Sequence, residues 1–168
     1  MSALQTLERA TVLGIKLEAR GDRLGISATE KPPDDFLSSI LDHKPELLKL
    51  LAHGLQGWSP QDWQDYFNER AAANDFLHGL SPLDAASRAL ECCVAAWLDH
   101  HPPDAPPGLC AGCGDRPTAA SPLTPYGTGP SIAWLHRHCW PAWYAGRKAE
   151  ALASLKAMGV GKVFGKGG

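Results

Sequence analysis

The sequence predicts an α+β chain, mainly α with small β-hairpins, in which an acidic helical body precedes a basic, turn-rich module. Three observations predict it. Apolar residues recur at helical spacing in several stretches between residues 3 and 99, and alternate strictly with polar ones only around 15–26. Charge divides along the chain: residues 1–100 hold 9 Lys/Arg against 15 Asp/Glu, and residues 101–168 hold 7 against 3. Turn formers follow the same line, with 6 Gly and 5 Pro in the first part and 11 and 9 in the shorter second part. The division falls at HHPPDAPPG, 100–108, where four prolines forbid regular helix.

A length of 168 residues suits one ordinary domain or two small ones. Apolar residues at 44% and charged residues at 20% are globular values and exclude wholesale disorder. The net charge of −2 excludes a uniformly basic nucleic-acid coat. No apolar run approaches the roughly 18 residues of a membrane span. Glu8 and Arg9 interrupt the N-terminal segment where an export signal needs an apolar core. The expectation is a cytoplasmic protein without membrane contact, in a reducing compartment where cysteines ligate metal or pack.

Leu4, Leu7 and Leu13 predict a first helix over 3–13, ended by Gly14. Ile15, Leu17 and Ala19, then Leu24 and Ile26, alternate with polar residues on either side of Gly21-Asp22, which predicts a two-strand hairpin. Pro32-Pro33 breaks the chain. Asp34 and Asp35 favour a helix start, and Phe36, Leu37, Ile40 and Leu41 form its apolar face. Another short helix starts near Pro45 and buries Leu47, Leu48, Leu50 and Leu51.

This order, with Gly14-Ile15, Leu17, Gly21-Asp22, Leu24, His43-Lys44, Glu46, Leu47-Leu48 and Leu51 in place, resembles the TubC-type N-terminal docking domain of peptide and polyketide synthetase subunits. The resemblance covers residues 3–52. It implies that a short linear segment of a partner protein docks beside the hairpin. Strand addition of this kind takes affinity from unpaired edge amides and selectivity from the outer face. The candidate reading face is Lys16, Glu18, Arg20 and Arg23; plain solvation of the hairpin by the same charges is the alternative.

Two further helices share an opening. SPQDW at 59–63 and SPLDA at 81–85 each offer a Ser N-cap, Pro at the first helical position and Asp at N3. They predict helices over 60–78 and 82–99, joined as a helical hairpin. Trp63, Tyr66, Phe67, Phe76 and Leu77 are the packing candidates of the first, and Leu83, Ala86, Leu90, Cys93, Val94 and Trp97 line one face of the second. Cys92 and Cys93 point about 100° apart on a helix and read as packing residues rather than a chelate.

Chemistry concentrates after the prolines. Cys110 and Cys113 form C-x₂-C, and His136 and Cys139 form H-x₂-C after a 22-residue interval. Each pair lets two donors converge, and four donors in two pairs match tetrahedral zinc. Gly112 and Gly114 suit the tight turn of the first pair. His138 is the alternative to His136, but only His136 repeats the spacing of the first pair. A Cys110–Cys113 disulfide is the alternative to metal. A turn-rich interval and then a long helical pattern through Trp140, Tyr144, Ala151, Leu155 and Met158 follow the order of a treble-clef zinc finger, which residues 110–158 resemble. All four positions come from protein, so one Zn²⁺ would be structural.

The expected organisation is therefore a docking module at 1–55, a helical hairpin at 56–100, a proline-rich linker at 101–109, a finger at 110–158 and a basic tail at 159–168 carrying Lys162 and Lys166. Arg137, Arg147, Lys148 and Lys156, interleaved with Trp134, Trp140 and Trp143, form a candidate nucleic-acid surface for DNA or RNA; a small aromatic core with a solvating basic face is the alternative. No phosphate loop, G-x-S-x-G or H-E-x-x-H is present. The sequence reads as a non-enzymatic adaptor or accessory protein of a bacterial mobile element. Alternatives are a nucleic-acid-binding or counter-defence protein, or a free-standing docking protein of a synthetase.

Overall fold

A computed structural model describes residues 1–161; Lys162 and Lys166 of the expected tail lie outside the described residues. Capping chemistry sets the helix ends. α1 (Ala3–Val12) opens with a reciprocal box: the Gln5 amide donates to Ser2 Oγ and the Ser2 amide to Gln5 Oε1. It closes through Gly14, at φ +67°, with the Gly14 and Ile15 amides donating to the Thr11 and Ala10 carbonyls. This double bond is a Schellman motif, and it turns the chain straight into a strand.

β1 (Lys16–Arg20) and β2 (Arg23–Ser27) form an antiparallel hairpin with Arg20 opposite Arg23. Gly21 supplies the positive φ of the two-residue turn. Leu17 and Ala19 face inward and are buried. α2 (Asp34–Asp42) and α3 (Lys44–Leu51) follow, burying Phe36, Ile40, Leu47 and Leu51. Inside, Thr6 and Ser39 satisfy each other at 2.8 Å.

α4 (Pro60–His78) and α5 (Pro82–His100) make the helical hairpin, with Ser59 and Ser81 accepting from the Asp62 and Asp84 amides. Gly79, at φ +60°, ends α4. The packed face of α5 keeps Cys93 and Trp97 in the core and Ala86, Leu90 and Val94 half-buried against it, as expected; it adds Ala85 and Ala89 and leaves out Leu83. Ala85, Ala89, Cys93 and Trp97 are buried, whereas Leu83 is 77% exposed. Small residues four apart form a low ridge that lets α4 approach, and Leu83 is left outside the contact. Phe76 and Leu77, expected to pack, are exposed as well. α4 buries only Trp63 and Phe67, both in its first half. Cys93 is a packing residue: burial, and secondarily Cys92, push its thiol up to about 12.

β3 (Leu123–Tyr126) pairs antiparallel with β4 (Ala133–His136), and α6 (Trp140–Ala157) ends the described fold. The fold is thus α+β, with six helices and two small hairpins among the described residues. α6 is shared between two regions. Its first turns border a small cluster of Cys110, Ala133 and Leu135. Its last turns enter the main core, where Ala151, Leu155, Ala157 and Met158 join Leu7, Ala10, Leu17 and Leu51. α6 touches α1, α3, α5 and β1. Gly159, at φ +84°, closes it with a second Schellman motif and seats Val160 in the core. Residues 159 and 160, expected in the tail, are therefore buried.

Candidate metal centre

The first ligand pair sits in a turn closed by backbone bonds. The Gly114 amide donates to the Cys110 carbonyl and the Cys110 amide to the Asp115 carbonyl, both at 2.9 Å. Gly114 takes φ +78°, which favours glycine. Gly112 is needed for a different reason: a Cβ there would lie 2.9 Å from Cys139 Cβ and 3.3 Å from Leu135 Cδ2. The turn is thereby pressed against the second pair.

That second pair straddles two elements. His136 is the last residue of β4, and Cys139 is the N-cap of α6 after a 3₁₀ turn, Arg137–Cys139. Neither lies within the helix, which begins at Trp140. A strand end followed by one tight turn aims both side chains back at the knuckle. The Ala111 amide, donating to the Trp134 carbonyl at 2.9 Å, fixes knuckle against hairpin.

Cys110, Cys113, His136 and Cys139 place their donor atoms within 4.8 Å of one another. Cys113 Sγ lies 3.3 Å from His136 Nδ1. Tetrahedral donors about 2.0–2.3 Å from a central ion stand roughly 3.5–3.8 Å apart, so the set fits one such ion. His136 is buried, whereas His138 is exposed and stacks on it at 5.4 Å from outside the donor set. His136 is therefore the imidazole of the cluster. All five cysteines are free.

Crowded thiols give the centre its electrostatics. At Cys110 burial opposes ionisation, but the Cys113, His136 and Gly112 amides outweigh it and bring the thiol down to about 6. At Cys139 burial, then the neighbouring sulfurs of Cys110 and Cys113, push the thiol up to about 11. Three thiolates cannot share so small a space without a cation between them. A divalent ion removes that conflict, and the positive end of α6 favours the Cys139 thiolate once the ion is present. With every position filled by protein, such a site holds structure and leaves no open coordination for a reactant.

The predicted nucleic-acid residues do not converge. Arg147 is drawn inward: its guanidinium donates to the His101 carbonyl, pairs with Glu150 at 3.4 Å and lies 5.4 Å from the Trp97 ring centre. Burial lowers its pKa, with Glu150 opposing. Nine residues separate it from Lys156, which puts the two on opposite sides of α6. Lys148 lies over Tyr144, and Arg137 is exposed beside the cluster. Trp140 stacks between Tyr126 and Tyr144, while Trp134 stands half exposed on β4.

Arg147 instead anchors the proline segment. His101 stacks on Trp97 at 4.1 Å, with its ring nitrogens 2.9 and 2.8 Å from the Trp97 and Ala52 carbonyls. Ser131 Oγ reaches the Leu98 and Asp99 carbonyls at 3.3 Å, tying the β3–β4 loop to the end of α5. No periodic signal marks the contacts of Arg147 with His101, of His101 with Ala52 or of Ser131 with the end of α5, because they join residues 30 to 50 apart.

The predicted reading face does assemble. Lys16, Glu18 and Arg20 share the outer face of β1, and Arg23 stands opposite Arg20. A cavity of about 560 Å³ lies against Lys16, Glu18 and Arg20, with Ser59 and, on α4, Gln61, Gln64 and Asn68 as its other wall. That α4 wall escaped the sequence reading, which gave no role to Gln61, Gln64 or Asn68. No helix among the described residues is long and apolar enough to cross a membrane. No protein-family model, curated protein or solved structure matches this chain.

Proposed function

We propose that the protein is a non-enzymatic adaptor that captures an extended segment of a partner protein on the hairpin at 16–27, with one structural Zn²⁺ fixing the finger to the helical body. One observation carries the reading. Lys16, Glu18 and Arg20 line an open cleft, with Arg23 paired across the hairpin from Arg20, while Leu17 and Ala19 hold the opposite face in the core. The helix–hairpin–helix–helix order over residues 3–51, which the TubC-type resemblance implies, supports it.

Register supplies the binding groups. With Arg20–Arg23 closing the turn, the N–H and C=O groups of Leu24 and Ile26 point away from β1. They make no backbone bond outside the hairpin among the described residues. An added strand would pair with them, and the charged outer face would select its side chains. The dispersed basic residues of the finger, with Arg147 engaged internally, give a nucleic-acid role less support.

Reversing charge by Arg20→Glu together with Arg23→Glu is expected to weaken capture of the partner by about tenfold or more, since charge-assisted contacts contribute about 1.5–3 kcal/mol. Both residues are exposed, so the far-UV circular dichroism should not change. Undiminished capture by a folded double variant would refute recognition by this face.

A further inference from the structure

Gly25 occupies the middle of β2, opposite Glu18. Glycine within a strand weakens it and commonly marks a place where something passes close to the backbone. No positive φ requires it here. What a side chain there would crowd is Arg20: a Cβ at position 25 would lie 3.2 Å from Arg20 Nε and 3.4 Å from Cζ, so the guanidinium would have to shift from its present path. The guanidinium therefore lies over β2, above the residue without a side chain. Glu18 holds it by one contact at 3.3 Å, with both side chains substantially exposed. Such a pair contributes little and exchanges readily. Arginine has five N–H donors in a planar fork, so most of them remain available to a second carboxylate.

The surroundings agree in charge and in shape. Lys16, Arg20 and Arg23 outnumber Glu18 on this face, a basic island in a segment where acids otherwise prevail. Across the cavity, Gln61, Gln64 and Asn68 lie on one side of α4 at spacings of three and four. Gln61 Nε2 donates to Asp65 and Gln64 Nε2 to Asn68 Oδ1. Both glutamine carbonyls and the Asn68 Nδ2 remain for an incoming chain. From residue 61 to 68 the helix rises about 10 Å, the length of roughly three extended residues.

Resting on the docking reading above, we propose that the segment captured here is acidic: it lies extended between the β2 edge and α4, and its Asp or Glu opposite Gly25 takes the Arg20 guanidinium in place of Glu18. The carboxamides of Gln61, Gln64 and Asn68 serve its peptide groups. Gly25 is then a specificity-determining residue, because its missing side chain lets Arg20 lie over β2.

Random peptides displayed on phage, selected on the full-length zinc-loaded protein, provide the test. The expected result is enrichment of sequences sharing an Asp or Glu. A synthetic copy of an enriched peptide should then lose about tenfold or more in affinity with Gly25→Ala and with Arg20→Glu, in line with the loss of a charge-assisted contact. Replacing the peptide's acid by Lys should restore binding to Arg20→Glu. Ile26→Pro, which removes an edge amide without touching Arg20, should abolish binding of every selected peptide. Enriched peptides without an acid, or ones indifferent to Gly25→Ala and Arg20→Glu, would overturn this proposal; if Ile26→Pro still abolished their binding, the hairpin would stand as the docking site. Failure to enrich any peptide, or binding indifferent to Ile26→Pro, would overturn both.

Discussion

Removal of the metal, by chelation or by Cys139→Ala, is expected to unfold residues 110–138 while the end of α6 stays in place. The small cluster there buries only Cys110, Ala133 and Leu135. A buried leucine contributes about 1.5–3 kcal/mol, whereas ordering each residue costs roughly 1–2 kcal/mol of backbone entropy. Some thirty residues of turn and two four-residue strands cannot meet that cost alone. A structural zinc site, with apparent binding free energies of about 10–16 kcal/mol in finger peptides, is of the right size to do so. The helix end behaves differently, because Ala151, Leu155, Met158 and Val160 belong to the main core. In amide NMR spectra, residues 110–138 should collapse to unfolded positions on metal removal, and residues 151–160 should keep theirs. Finger amides that remain dispersed without metal would contradict the assignment.

Leu155→Ala is expected to destabilise the whole chain by about 2–5 kcal/mol, the range for truncating a buried leucine. Leu155 has no exposed surface and sits in the core shared with α1, α3 and β1. A small globular protein has only about 5–15 kcal/mol in total. The loss should appear in one cooperative transition, with hydrogen exchange rising together in α1, in the hairpin and in α6. Faster exchange confined to α6, with α1 and β1 unaffected, would show that the last helix is not part of the common core.

Local chemistry made much of this fold legible. Ser59-Pro60 with Asp62 fixed the start of α4, and Gly79 its end; Gly14 and Gly21 marked one helix end and one hairpin turn. The cysteine and histidine pairs were readable for the same reason, since each pair is set by a spacing of three residues. What escaped depends on contacts distant in sequence. Periodicity found Cys93 and Trp97 on the packed face of α5 but not Ala85 and Ala89, because alanine carries less hydropathy than the exposed Leu83. The change in composition near residue 101 marks a change of local structure, yet α6 crosses back into the N-terminal core. Arg147 reads as a candidate nucleic-acid contact because nothing near it in sequence reveals the His101 carbonyl or the Trp97 ring. Gly25 read as one alternating polar position of a strand, and only the path of Arg20 shows what its absent side chain permits.

X-ray absorption at the zinc edge of the purified protein, with metal content measured on the same sample, tests the metal centre most directly. One zinc per chain is expected, with three sulfur neighbours at about 2.3 Å and one nitrogen at about 2.0–2.1 Å, the nitrogen being lost in His136→Ala and kept in His138→Ala. A chain purified without bound metal, or a shell of nitrogen and oxygen donors that Cys139→Ala leaves unchanged, would contradict it.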